Sequence, residues 1–250
     1  MSELFNIILY VPFFNLLVFL YNTVAFNDFG IAIILLTLII RLGLSPLSIK
    51  TIKSQKALAE LQPKIKEIQE KFKNDTQKQT REVMELYRRH KVNPFSGCFP
   101  LLIQLPILIA LYQVSVAGFK ENSLSVLYGF IKNPDFLNSA SLGFIDLTKK
   151  NILLSLVAGA AQFWQTKTSA SFSKNSTLSR DQKNQKANPL GAINQQMLYF
   201  FPIITIVISM SFPAGLPLYW ITTTLFSIIE QAYINKIHGE PNGKFNLSDR

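Results

Sequence analysis

The chain has 250 residues, of which 48% are hydrophobic and 16% charged, with a formal net charge of +10 and a mean hydropathy of +0.23. Soluble domains of this length carry about 25% charged residues, so an ordinary water-soluble globule is excluded and a multi-span membrane protein becomes the working class. The single cysteine, Cys98, rules out an internal disulfide and reads, in its apolar context, as a packed small hydrophobe.

Residues 1–28 open with MSELFNIILYVPFFNLLVFLYN, which carries Asn6, Pro12, Asn15 and no positive charge. Without a basic leading region or a small-residue cleavage site, no cleavable signal peptide is expected. The proline and scattered asparagines predict an outer amphipathic helix lying in the interface, ended by a turn at Asn27, Asp28 and Gly30; a span is the alternative. Five later stretches are long and apolar enough to cross about 30 Å of hydrocarbon. They are residues 29–49, 95–119, 151–167, 197–212 and 215–234. The third and fourth are short, which calls for a thin bilayer or for helices extended by their polar flanks.

The basic residues are segregated between these stretches. Twelve Lys/Arg fall in Lys50–Lys91, four in Lys120–Lys150, five in Lys167–Lys186 and three from Lys236 onward. Short Lys/Arg-rich loops stay cytoplasmic, so the first, third and fourth groups lie inside, with the N-terminus outside and the C-terminus inside. The expected fold is thus an all-α integral membrane protein with five transmembrane helices, a cytoplasmic helical hairpin over residues 50–93 and the outer interfacial helix.

The hairpin follows from Leu58, Leu61, Ile65, Ile68 and Phe72 at steps of three and four, a turn at Asn74 and Asp75, and a second run through Val83, Met84 and Tyr87. Pro63 interrupts the first arm, as a first-turn proline after a kink. A two-helix coiled coil with a solvated basic outside and a docking surface for a partner or anionic headgroups are both open. On the outer side, residues 120–150 predict a short apolar helix and a turn at Asn133, Pro134 and Asp135, forming a lid. Residues 168–196 are rich in Ser, Asn, Gln and Lys, a mobile cytoplasmic loop, and residues 235–250 form a cytoplasmic tail.

Nothing here suits catalysis. No HExxH, phosphate-binding glycine loop or carboxylate pair within the spans is present, so no enzymatic activity, cofactor or metal is expected. The spans instead carry polar edges at helical spacing: Thr37, Arg41, Ser45 and Ser48; Gln104 and Ser115; Ser155, Gly159, Gln162 and Thr166, with Gln165 one position round; Pro202, Thr205 and Ser209; Leu216, Trp220, Thr223, Ser227 and Gln231. Close helix packing is the common use of such small and hydroxyl-bearing residues. Arg41 shifts the balance, because a central arginine costs roughly 2.5–3.5 kcal/mol and nearly always faces a bundle interior or a water-filled cavity. It lies about 18 Å along the helix from Phe29 and about 13 Å from Lys50, in the cytoplasmic half. Snorkelling and an Arg41–Glu230 pair are the alternatives to a hydrated, cytoplasm-open cavity with one unneutralised charge.

Four runs together resemble the YidC family of membrane protein insertases, which has relatives in mitochondria and chloroplasts. They are FGIAIILLTLIIRLGLSPLSIKTIKSQKALAELQPKIKEIQEKF, NPFSGCFPLLIQLPILIALYQ, FIDLTKKNILLSLVAGAAQFWQTKTS and MLYFFPIITIVISMSFPAGLPLYWITTTLFSIIEQ. The resemblance implies a five-helix core with a groove open to the cytoplasm and sideways to lipid, and closed outside. It matches Arg41 to a groove arginine, Gln165 to a groove glutamine and Trp220 to a groove tryptophan; Gln162 is favoured instead by helical spacing. With Thr37, Ser45, Gln104 and Thr223 these residues form the candidate substrate groove.

The implied function is that of an insertase and chaperone of the bacterial inner membrane, releasing the spans of newly made membrane proteins to lipid. Its partners are then those nascent proteins and the bilayer, with the ribosome and a Sec-type channel as further candidates and no direct nucleic-acid recognition. A small-solute or ion transporter using the same cavity is the alternative class. The chain reads as the bare core, without an additional first span, large outer domain or lipoprotein cysteine, and its short tail argues against strong ribosome docking. Pro217 and Glu230 depart from the residues the resemblance leads one to expect.

Overall fold

The computed structural model describes residues 3–93, 99–117, 123–174 and 189–238. Cys98, residues 175–188 of the expected mobile loop and residues 239–250 of the expected tail therefore lie outside the described residues, while the two ends of that loop, 168–174 and 189–196, are helical rather than mobile loop. The fold is predominantly helical. Its helices are α1 (Glu3–Thr23), α2 (Phe29–Lys71), α3 (Thr76–Arg89), α4 (Phe99–Ala117), α5 (Ile152–Lys174), α6 (Pro189–Ser211) and α7 (Gly215–His238). The all-α expectation needs one amendment, a two-stranded antiparallel pair of β1 (Ala140–Ser141) with β2 (Ile145–Asp146).

By length and composition two of the described helices can cross a membrane, α1 and α2, while Leu102–Val116 and Tyr199–Ser211 are shorter apolar helices. α1 contains a π turn at Asn6–Tyr10, just before Pro12, whose missing N–H leaves a carbonyl one turn back without its ordinary donor. The buried Asn15 of α1 faces the protein, whereas Leu4, Ile7, Ile8 and Phe19 are exposed on its outward side.

The long helix α2 begins at Asp28, whose carboxylate accepts the Ile31 N–H at 2.9 Å, the ordinary N-cap bond. It then runs unbroken for 43 residues through Pro46 and Pro63. At 1.5 Å per residue that is about 64 Å, twice the hydrocarbon thickness, so the charged half must project beyond it. The expected interruption of the hairpin's first arm at Pro63 is therefore absent, and the first expected span and that arm are one continuous helix. Asp75 caps α3 through the Lys78 N–H at 2.9 Å, and α3 folds back so that Ala57, Leu61, Ile65 and Val92 form a small apolar cluster with Leu58, Val83, Leu86 and Tyr87.

The main core unites α1, α2, α4, α7 and residues 124–147. Phe14, Leu17, Val18, Phe29, Ile33, Leu36, Val114 and Leu147 are among its most completely buried side chains. Residues 123–150 form a cap over one end of the helices, in place of the expected apolar helix: a 3-10 turn at Ser123–Val126, the Asn133 turn, where Asn133 Oδ1 accepts the Asp135 N–H at 3.0 Å, and the strand pair. Polar contacts tie the cap down, those of Asp28 with Ser141 and Leu142 among them. Asn15 donates to the Val126 carbonyl at 3.0 Å and accepts the Tyr128 N–H at 2.6 Å. Asn22 donates to the Lys132 carbonyl at 2.7 Å, and the Tyr21 hydroxyl accepts the Asn138 N–H at 3.0 Å. Ala214 N–H, at the start of α7, donates to the Lys149 carbonyl at 2.8 Å.

Within the cap, the Thr148 hydroxyl and the Lys149 ammonium hold the Asp146 carboxyl at about 2, below the usual carboxylate range. A depressed carboxyl contributes its stability above the unfolded value of about 4 and loses it as pH falls through the folded value, so this turn is insensitive to pH near neutrality.

α5 and α6 cross closely at Gly159, where a Cβ would stand 2.2 Å from Ile206 Cγ1 and 3.4 Å from the Pro202 carbonyl oxygen. Ser155, Thr205 and Ser209 are buried, and the Ser155 hydroxyl donates to the Asn151 carbonyl of its own helix. This part of the polar edges is helix packing, the common use of small residues in membranes. Gly159→Val is expected to destabilise the fold by about 1–3 kcal/mol through overpacking, readable as a lowered Tm of the detergent-solubilised protein beside a Gly129→Ala control, whose added Cβ meets nothing within 4 Å.

Candidate functional site

Just beyond the packed core, towards the charged half of α2, the polar residues converge. The Arg41 Nε donates to Thr223 Oγ1 at 3.1 Å and its Nη2 to Gln104 Oε1 at 2.9 Å. The Gln104 amide nitrogen donates in turn to the Tyr219 hydroxyl, so α2, α4 and α7 are joined through one guanidinium. Tyr219 is 3% exposed and fixes which way the Gln104 amide points. It was not singled out by sequence, although it stands four residues before Thr223 and hence on the same helical face.

Both hydrogen-bond partners of Arg41, Thr223 and Gln104, are neutral, and no carboxylate lies within ion-pair distance of it among the described residues. The expected alternative of an Arg41–Glu230 pair is not what the geometry contains. Glu230 Oε2 instead accepts the Ser48 hydroxyl at 2.6 Å. A planar guanidinium with donors in several directions suits this arrangement, because two neutral acceptors orient it without cancelling its charge.

The other candidate residues fall in distinct places. Trp220 Nε1 donates to Gln162 Oε1 at 3.3 Å, joining α7 to α5. Gln165 is half-buried one position round on α5, and its carbonyl accepts the Thr168 hydroxyl. Thr37 is fully buried and bonds back to the Ile33 carbonyl at 2.6 Å, which places it in the packed layer above Arg41 rather than on an open surface. Ser45 is half-buried, one turn further along α2. Thus Arg41, Gln104 and Thr223 form one cluster with Tyr219, Gln162 and Trp220 form another, and Thr37 supports the first from behind.

Among the described residues no group of His, Cys, Asp or Glu has the arrangement to hold a metal ion. The cluster can do one kind of chemistry, offering hydrogen bonds and a positive charge to an anionic or polar guest at the edge of an apolar core.

A predominantly helical chain with two helices long and apolar enough to cross a membrane, and a charged, polar centre between its helices, has the build of an α-helical integral membrane protein. The model of the family described as 60Kd inner membrane protein matches residues 19–241, and the chain belongs to that family. Membrane protein insertase YidC of Fusobacterium nucleatum is similar to it, 36% identical over 238 residues that cover 94% of this chain and 98% of the relative. The protein of the same name from Oceanobacillus iheyensis is 36% identical over 217 residues, covering 84% of this chain and 76% of the relative. That of Chlamydia trachomatis is also 36% identical over 217 residues, 86% of this chain but 26% of the longer relative.

Proposed function

We propose that this protein is a membrane protein insertase, taking the polar tails and apolar spans of newly made membrane proteins from the cytoplasmic side of the bacterial inner membrane and releasing the spans to lipid. The observation that carries this reading is Arg41, a guanidinium at membrane depth held by neutral partners only. Moving one charged residue through the bilayer centre costs about 2.5–3.5 kcal/mol, whereas a Leu or Ile in the following span returns only about 0.3–0.6. A polar groove shortens the oil path, and an oriented positive charge stabilises an acidic tail during its passage. The similarity to proteins named membrane protein insertase YidC over nearly the whole chain supports the same reading.

In this reading α2, α4, α5, α6 and α7 are the five spans, with α1 outside and the C-terminus in the cytoplasm. α5 and α7, with 23 and 24 residues, are long enough at 1.5 Å per residue to cross about 30 Å; their polar residues turn inward, which lowers their hydropathy. α1 lies along the outer face. Its support is that Asn15, Tyr21 and Asn22 all bond the same cap, over more than a helical turn of α1. The groove is open at the cytoplasmic end and comprises Arg41, Gln104, Gln162, Gln165, Trp220, Thr223 and Ser45, with Thr37 behind.

The test is insertion into vesicles of purified lipid and protein. A small single-span substrate should gain a protease-protected tail only when the protein is present, with no nucleotide added. Solute flux without tail protection would favour a transporter instead. The helix pair beyond the membrane, the end of α2 with α3, has its own apolar cluster and is expected to act in capture. Deleting residues 60–88 should leave the Tm of the spans within a few degrees of wild type while lowering insertion about fivefold or more, roughly 1 kcal/mol. Unchanged insertion would reduce this segment to an appendage.

A further inference from the structure

Glu230 acts on Arg41 only through space and bonds Ser48 instead, and its surroundings mark a second charged station. α2 and α7 run parallel in constant register. Arg41 meets Thr223 and Ser48 meets Glu230, each pair 182 residues apart, and Ile33 lies against Gly215 at the same offset. One heptad therefore separates the two polar rungs, about 10.5 Å along the helices.

The Glu230 side chain is 7% exposed. One oxygen accepts the Ser48 hydroxyl at 2.6 Å, and the other, Oε1, has no hydrogen-bond partner among the described residues. A buried carboxylate is an acceptor only, and the donors that compensate it best are cationic. The depth is also informative. Ser48 stands about 28 Å along α2 from Phe29, near the cytoplasmic edge of a 30 Å hydrocarbon layer. There a crevice of about 40 Å³ reaches Gln231, the next residue, between α2 and the paired Ser169 and Gln231.

We propose that Glu230 is a binding site for a cationic side chain, a lysine or arginine of the segment being inserted, one heptad on the cytoplasmic side of Arg41. The proposal rests on the insertase reading and names its substrate class: tails that carry both signs of charge. Arg41 receives a carboxylate and Glu230 an ammonium or guanidinium. An extended chain advances about 3.3 Å per residue, so the matching tail has its acid about three residues ahead of its base, the acid towards the outer side. Lys56 lines the crevice itself and, like Glu60 on α2 and Lys167 on α5, is already engaged within the protein; Lys50 and Lys53 on α2 and Lys236 on α7 are the other charged groups near this mouth in sequence.

The experiment uses the full chain in vesicles and single-span substrates that translocate their N-terminal tails and differ only there: one Asp, one Lys, Asp-x-x-Lys or Lys-x-x-Asp. Glu230→Gln should slow protection of the Lys tail about tenfold and leave the Asp tail unchanged, while Glu230→Asp keeps a measurable part of the Lys-tail rate. Wild type should favour Asp-x-x-Lys over Lys-x-x-Asp, and Glu230→Gln should abolish that preference. Equal slowing of all tails, or of none, with an unchanged Tm would overturn the proposal and leave Glu230 a structural acceptor for Ser48. If wild type protects no tail at all, the insertase reading fails and the proposal falls with it.

Discussion

Arg41→Ala is expected to slow insertion of substrates with acidic tails about tenfold or more, with little effect on substrates whose tails are neutral. The reason is electrostatic. A tail carboxylate costs about 2.5–3.5 kcal/mol at the bilayer centre, and recovering even half of that through a counter-charge is worth a factor of about ten in rate. The alanine variant also leaves Thr223 and Gln104 facing one another across a gap, with dipoles but no charge. Arg41→Lys keeps the charge but cannot hold both partners in a fork, so it should retain much of the rate with acidic tails. Protease protection of matched acidic and neutral tails measures both. An alanine variant that inserted acidic tails at the wild-type rate would remove the counter-charge role.

Asp28→Ala is expected to lower stability by about 3 kcal/mol and to loosen the cap. Asp28 does three things at once. It caps α2 through the Ile31 N–H, accepts the Ser141 hydroxyl at 3.0 Å, and accepts the Leu142 N–H at 2.5 Å. An N-cap is worth about 1 kcal/mol and hydrogen bonds to a charged acceptor about 1.5–3 kcal/mol, with shared loss making the sum smaller than its parts. Gly30 tightens the same contact, since a Cβ there would stand 2.0 Å from Ser141 Oγ. Thermal unfolding in detergent reads the loss, and faster proteolysis within residues 128–146 reads the loosened cap. Asp28→Asn, which keeps acceptor geometry without charge, should fall between wild type and alanine. A variant with wild-type Tm and cap protection would show that the core alone holds the cap.

The three roles of Asp28 illustrate what a sequence conceals. Its position before an apolar run marks a turn and a helix start, but nothing local reveals that Ser141 and Leu142 arrive there. Asn15 is similar. Read alone, an asparagine in an apolar helix argues for a wet, interfacial face; the structure turns it inward, 1% exposed, to close the backbone of residues 126–128. Buried backbone groups must find partners, and here a side chain from a distant helix supplies them. Pro63 erred in the other direction. Proline disfavours a helix interior by removing one bond, yet packing of Leu61 and Ile65 against Val92 and α3 keeps α2 continuous through it.

The amino-acid sequence by itself determined that the chain is apolar and helical, that its basic residues are segregated into a few segments, that Arg41 falls within a long apolar run, and that four long runs resemble one family. These follow from hydropathy, helical periodicity and residue identity, which are local. Only the tertiary structure decided what Arg41 touches. Thr223 and Glu230 meet α2 across 182 residues, and a register between parallel helices depends on how side chains such as Ile33 fill the space beside Gly215. It also decided that the edges of α5 and α6 meet in packing while those of α2, α4 and α7 gather around one charge. A polar stripe has the same spacing in either use; what differs is the distance of approach, and that is set when the helices pack.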